Sequence, residues 1–186
     1  MMKEYWKAGN MLNPLPAVMV SCGDMDNSNI ITVAWCGNIC TNPPMLYVSI
    51  RPERYSYKII KETKEFVVNL TTKDLVYETD YAGVKSGKDI DKFKQLKLTK
   101  LESKYVKCPT IKESPVSLEC RVKEVIELGS HHMFIADILG VTVDKDLMDE
   151  NNRFNLEKAG LITYSHGQYF ELGSYLGKFG YSIKKK

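Results

Sequence analysis

Short apolar runs separated by turn-like polar stretches dominate the first half of the chain. Such runs predict strands, because strands in folded proteins are bounded by clusters of Gly, Pro, Asn, Asp and Ser. The predicted strands are 17–21, 30–35, 45–50 and 66–70. The first two flank the turn-like stretch 23–28, so they are predicted to form a hairpin.

Alternation of apolar and polar positions is clearest over 116–122, which predicts a strand with one buried face. The alternation changes phase at 124–126, and such a break indicates a bulge or a barrel corner. A long apolar strand is predicted at 133–143, and a closing hairpin at 161–165 and 168–172.

Helical patterns are few. One helix is predicted to begin near Ser56 and to run to the polar stretch 61–64, and a second to cover 73–81. The lysine-rich segment 83–107 is a long excursion of a kind that often has a function. Because regular helices do not separate the strands, the pattern favours a mainly β fold, an antiparallel Greek-key barrel with short helical insertions, over a doubly wound sheet.

The 186 residues fit a single domain spanning 1–186, and the 44% hydrophobic content suffices for a core. The net charge of +3 is small and both signs are interspersed, which disfavours nucleic-acid binding. The lysines at 184–186 are interpreted as a solvated tail. No apolar run approaches the roughly 20 residues of a membrane span, and no signal-peptide core begins the chain, so we expect a soluble, cytoplasmic protein.

Five cysteines, an odd number, argue against a disulfide framework. Cys36 and Cys40 are four positions apart, but no second pair completes a zinc site. Free and mostly buried thiols are the favoured interpretation. The chain also lacks a GxSxG elbow, a P-loop and a GxGxxG turn, which disfavours a hydrolase and the common nucleotide folds.

Residues 29–60 contain the most informative stretch. A strand ends at Arg51, and the predicted helix begins near Ser56, a favoured N-cap residue. The hydroxyl and the first free N–H groups of the helix suit a phosphate, and Arg51 and Arg54 suit the same anion. On these residues alone, a capped helix beside two solvated arginines is the favoured alternative.

Several short motifs nevertheless occur together in a family order over nearly the whole chain. They are Asn29 with Thr32-Val33-Ala34-Trp35, Asn42-Pro43-Pro44, Val48-Ser49-Ile50-Arg51, Tyr55-Ser56, Lys85-Ser86-Gly87, Asp91-Lys92-Phe93, Gly129-Ser130-His131 and Tyr164-Ser165-His166-Gly167. In this order they resemble the flavin reductase-like, FMN-binding split-barrel family, and within it the flavoredoxin group.

The resemblance implies an FMN cofactor, a split barrel and a homodimer. It places Asn29, Thr32, Ala34 and Trp35 near the flavin, Ser56 at the phosphate with help from Arg51, and Lys92 close to the cofactor. His131 and Tyr164 are implied to complete the pocket, within one protomer or across the dimer interface.

Each assignment has a simpler alternative. These are a core aromatic at Trp35, a hairpin-closing residue at Asn29, a solvated lysine at Lys92, a strand-end histidine without a partner at His131, a packing residue at Tyr164 and an inert core thiol at Cys36.

Bound flavin stores electrons itself, so the absence of a catalytic triad is consistent with the resemblance. The electron donor implied is NAD(P)H or a redox protein. The alternatives are a non-catalytic flavin carrier, a haem carrier that uses His131, His132 or His166, and an interaction domain without cofactor.

Overall fold

The computed structural model describes residues 2–183, so the predicted tail at 184–186 lies outside the described residues. The strands are β1 (Leu15–Pro16), β2 (Val18–Gly23), β3 (Ser28–Val33), β4 (Cys36–Thr41), β5 (Pro44–Ile50), β6 (Glu65–Leu70), β7 (Lys100–Leu101), β8 (Thr110–Ile111), β9 (Val116–Leu128), β10 (His131–Val143), β11 (Ile162–Ser165) and β12 (Gln168–Glu171). The α-helices are α1 (Tyr55–Thr63), α2 (Val76–Val84) and α3 (Lys92–Leu96). Short 3-10 turns cover Lys73–Leu75, Lys145–Leu147, Leu156–Ala159 and Tyr181–Ile183.

Seven strands form the main sheet in the order β3-β2-β6-β9-β10-β5-β4. All of the neighbouring pairs are antiparallel. A smaller sheet joins β1, β11 and β12, and β7 pairs with β8. The predicted mainly β, antiparallel architecture with short helical insertions is confirmed.

The long hairpin contains the predicted bulge, at Lys123, directly before the predicted position 124–126. Ile135 pairs with Glu124, whereas Ala136 pairs with Val122, which leaves Lys123 without a partner in the register. An extra residue of this kind bends a strand and increases its twist, as a closing sheet requires.

One predicted strand end was wrong, and one strand was missed. The strand predicted at 30–35 ends at Val33, and a separate strand, β4, follows at Cys36–Thr41. Strand β4 was missed because its residues are mostly polar or small and show no alternation. It lies at the edge of the main sheet, where one neighbour, β5, is enough to fix it.

Strand β2 separates two hydrophobic clusters. Val18, Val20 and Cys22 face the interior of the main sheet, whereas Met19 on the opposite face packs with residues of the helical side, including Phe93. Both faces of β2 are therefore buried, which explains why the apolar residues at 18–20 do not alternate with polar ones. Helices α2 and α3 also pack against β3. The end of β3 therefore lies between the barrel and these helices.

Within residues 2–183, no helix is long and apolar enough to cross a membrane.

Candidate functional site

A cavity of about 240 Å³, here called the apolar cavity, opens where β3 and β5 end and β10 begins. Of the nine residues predicted for the site, six line this cavity: Thr32, Ala34, Trp35, Arg51, His131 and Tyr164. Since β3 and β5 both end here, their last residues and the residues directly after them line one space.

Trp35 forms an aromatic wall of the apolar cavity. Its side chain is 44% exposed, so the core alternative for Trp35 is wrong. The ring meets His131 edge to face, with centroids 4.8 Å apart and planes at 61°. The Trp35 carbonyl accepts a 2.8 Å hydrogen bond from the Ser49 amide, which ties the residue to β5. The result is a flat ring held at the mouth of the cavity.

His131 stands at a strand end, the first residue of β10, but it has partners, so the alternative of a histidine without a partner is wrong. Its Nδ1 lies 3.0 Å from the Ser130 hydroxyl. Partial burial and the nearby Arg51 guanidinium lower the pKa of His131, and Glu53 partly opposes this shift. The shift favours the neutral imidazole, which can offer one N–H donor.

Tyr164 and Tyr169 complete the wall on the small sheet. The two residues pair across β11 and β12, and their rings are 5.5 Å apart. The Tyr169 hydroxyl donates to Asp80 over 3.3 Å. Burial and the Asp80 carboxylate raise the pKa of Tyr169 to about 12. Sequence reasoning missed Tyr169, although its cross-strand pairing with Tyr164 followed from the predicted closing hairpin.

A second space of about 150 Å³, here called the polar cavity, adjoins the apolar one, and Ile31 and Arg54 line both. The three remaining predicted residues, Asn29, Ser56 and Lys92, line the polar cavity. The structure therefore brings all nine predicted residues to two neighbouring cavities.

Ser56 does not cap its helix, contrary to the prediction. Helix α1 begins at Tyr55, and its N-cap is Arg54, which makes no side-chain capping bond. Ser56 is the second helical residue and is 1% exposed. Its hydroxyl accepts a 2.7 Å hydrogen bond from the Asn29 side-chain amide. The hydroxyl is thus engaged with β3 rather than with the free N–H groups of its own helix.

Asn29 lies within β3 opposite Cys22, so it does not close the hairpin turn. Its side chain is buried, at 3% exposure, and reaches across to α1.

Lys92 is buried, at 3% exposure, and the solvated alternative is wrong. Its ammonium donates to the carbonyls of Ile30 over 2.7 Å and Ala82 over 2.6 Å. These bonds link β3 to α2 and use two of the three ammonium hydrogens. Burial, followed by repulsion from Arg54, lowers the pKa of Lys92 to about 8, and Cys22 opposes this shift.

The two arginines near the helix start behave differently. Arg51 pairs with Glu53 over 2.7 Å, and both side chains are exposed at the rim. Arg54 donates to the Gly83 carbonyl and lies on the wall that the two cavities share. Lys85 and Ser86 line the polar cavity but were not predicted as site residues, although both lie in a motif that carries the resemblance. Arg54 lies outside those motifs, but its guanidinium was expected to suit a phosphate, and it lines the same cavity.

The cysteines do not contribute to the two cavities. All five are free, and only Cys40 is not buried. Burial raises the pKa of Cys36 to about 12, so the core alternative for Cys36 is confirmed. Among residues 2–183, no cluster of three or more His, Cys, Asp or Glu side chains is arranged to hold a metal ion.

The chain is similar to known proteins in both sequence and structure. Residues 11–173 match the flavin reductase-like domain family. The structure is similar to flavoredoxin of Desulfovibrio vulgaris (Miyazaki F), with a TM-score of 0.90 and 31% identity over 98% of this chain and 100% of that one. A split-barrel protein of Shewanella frigidimarina NCIMB 400 superimposes with a TM-score of 0.81 and 21% identity over 92% of this chain and 89% of that one, which confirms the split-barrel fold.

The sequence is also 40% identical over 131 residues to an uncharacterized protein of Archaeoglobus fulgidus, covering 70% of this chain and 73% of the relative.

Proposed function

This chain belongs to the flavin reductase-like domain family. We propose that it is an oxidoreductase that binds FMN non-covalently and passes electrons through it. The observation that carries the proposal is the pair of adjoining cavities, one apolar and aromatic, the other polar and cationic. FMN has the matching division into a flat apolar ring system and a single phosphate.

The apolar cavity suits the flavin ring. Val33 and Ile50 offer an apolar floor, and Trp35 offers a planar wall. Thr32 donates its hydroxyl to the Thr79 carbonyl, so its side chain serves to hold β3 against α2. The ring carbonyls would then be met by the backbone after β3 and by the neutral His131.

The polar cavity suits the phosphate. Arg54, Lys85 and Lys92 bring positive charge, Ser56 and Ser86 bring hydroxyl groups, and Glu53 is the one carboxylate among its lining residues. Charge-assisted hydrogen bonds to a phosphate are shorter and stronger than neutral ones. Because this cavity is small, we propose FMN rather than FAD as the cofactor.

The flavin supplies the electron chemistry when bound, since it accepts and stores electrons itself. The protein residues bind it, orient it and limit its contact with water. The donor, NAD(P)H or a redox protein, would approach at the mouth of the apolar cavity, where Trp35 and Arg51 are exposed.

We also propose a homodimer. Both ends of the described chain carry large apolar side chains that the protomer leaves exposed, among them Tyr5, Trp6, Leu176 and Phe179. The two ends adjoin β1 and β12 of the small sheet, which also lines the apolar cavity. Large apolar side chains exposed on both terminal segments favour an interaction surface, and a second copy is the occupant that the family resemblance implies.

The experiment that tests the cofactor is a visible spectrum followed by mass analysis of the released molecule. We expect a yellow protein that releases FMN after denaturation. Release of mainly FAD would contradict the assignment, and a sharp Soret band would support the haem alternative. Oxidation of NADH or NADPH by the yellow protein would then separate a reductase from a carrier.

A further inference from the structure

We propose that Asn29 is a positioning residue, which turns the Ser56 hydroxyl hydrogen toward the phosphate of the bound flavin nucleotide, and that Gly87 holds Asn29 in that orientation. The inference rests on the proposed function, and it assigns to Asn29 a role that acts through Ser56 rather than on the flavin ring.

The hydrogen bond between Asn29 and Ser56 has a defined direction. The Asn29 amide nitrogen lies 2.7 Å from the Ser56 oxygen, and an amide nitrogen only donates. The Ser56 oxygen is therefore the acceptor in this bond, and its own hydrogen is free for another acceptor. Without Asn29, the hydroxyl would rotate freely and lose this preference.

The surroundings of Ser56 indicate which acceptor that is. Ser56 is 1% exposed and lines the polar cavity together with Arg54, Lys85 and Lys92. Three cations around one hydroxyl donor favour an anionic oxygen as the ligand. The other neighbour of the hydroxyl, the Cys22 thiol, is a weak hydrogen-bond partner and keeps its proton because burial raises its pKa to about 11.

Gly87 fixes the other end of the Asn29 amide. A Cβ atom at position 87 would lie 2.0 Å from Oδ1 and 2.5 Å from Cγ of Asn29. The Asn29 side chain therefore packs directly on the Gly87 backbone, and any other residue at 87 would displace it. Because Lys85 and Ser86 precede Gly87 and line the same cavity, Asn29 joins this loop to the start of α1.

A double-mutant cycle on ligand affinity tests the inference. FMN and riboflavin are titrated against the apo forms of the wild type, Asn29→Ala, Ser56→Ala and the double variant, and riboflavin serves as the control because it lacks the phosphate. A hydrogen bond to a charged group is worth roughly 1.5–3 kcal/mol, so each single substitution should weaken FMN binding by about tenfold or more. Riboflavin binding should change by no more than about twofold, and the double variant should bind FMN as Ser56→Ala does.

Gly87→Ala provides a second approach if Asn29→Ala does not fold, and it should also weaken FMN binding while sparing riboflavin. Asn38→Ala, at an exposed position of β4, is the matched control and should bind both ligands as the wild type does.

The outcomes separate this inference from the proposed function. If the losses of Asn29→Ala and Ser56→Ala add in the double variant, Asn29 acts independently of Ser56 and the positioning role is refuted. If Gly87→Ala binds FMN as the wild type does, its part in the inference is refuted. If Ser56→Ala itself binds FMN normally, the phosphate lies elsewhere and the proposed site is wrong.

Discussion

Replacing Lys92 with methionine should change how the stability of the protein depends on pH. Lys92 lies between β3 and α2, with its ammonium bound to two backbone carbonyls. Methionine has a similar length and no charge, so it fills the same space without a titratable group. The comparison therefore isolates the protonation of one buried lysine.

The structure sets the sign and the size of the effect. Burial and the Arg54 guanidinium lower the pKa of Lys92 from 10.5 to about 8. Between these values the unfolded chain binds more protons at this position than the folded protein, so the free energy of unfolding rises with pH across this window. At no more than about 1.4 kcal/mol per pH unit, the wild type should gain roughly 2 kcal/mol relative to Lys92→Met between pH 7.5 and 9.5.

Buried thiols lower the free energy of unfolding as the pH rises, and the thiols that do not interact with Lys92 cancel in the comparison. Burial raises the pKa values of Cys22, Cys36, Cys108 and Cys120, so their contribution to stability falls as the pH rises above the thiol pKa of the unfolded chain. Both proteins contain these cysteines. The difference between the two proteins therefore reports on Lys92 together with its charge interaction with Cys22, which is the smallest cause of either pKa shift.

Urea unfolding of the two apo proteins, followed by circular dichroism at both pH values, measures this difference. A difference that stays constant with pH, or that moves in favour of Lys92→Met, would show that the Lys92 pKa is not lowered. Saturating FMN should reduce the effect, because a phosphate near Lys92 favours its charged form, whereas riboflavin should leave the effect intact.

Three further predictions concern the ring, the thiols and the terminal segments. Trp35→Ala should weaken FMN and riboflavin binding by similar factors, since the ring system common to both ligands loses its wall; a selective loss of FMN binding would contradict this placement. At neutral pH, Ellman's reagent should label Cys40 first and the four buried thiols only on unfolding, and rapid labelling of more than one thiol would contradict the burial. Light scattering should report a dimer for the intact chain and a larger monomer fraction after deletion of 173–186, and an unchanged dimer would place the interface elsewhere.

Most of the strands could be predicted from the sequence, because a buried strand face produces a periodic pattern of apolar residues. The alternation over 116–122 and its change of phase correctly indicated β9 and its bulge. Strand β4 has no such pattern, since an edge strand with one neighbour needs little apolar sequence. Its presence depends on pairing with β5, which is a property of the whole sheet.

The site was predictable to a similar degree. The motifs brought together nine residues that do line two adjoining cavities, but they did not indicate what each side chain contacts. Ser56 looked like a helix cap because the amide that engages it, Asn29, is 27 positions away. Lys92 looked solvated among many lysines because its acceptors are backbone carbonyls, which no sequence pattern reveals.

A calorimetric titration of the apo wild-type protein with FMN, riboflavin and FAD tests whether one cavity holds the flavin ring and the other its phosphate. If the apolar cavity holds the ring and the polar cavity holds a single phosphate, FMN should bind with one molecule per chain. Riboflavin should bind at least about tenfold more weakly, since it lacks the charge-assisted hydrogen bonds. FAD should bind more weakly than FMN, because the polar cavity is proposed to fit one phosphate. Equal affinities for FMN and riboflavin, or no binding of FMN, would contradict the account.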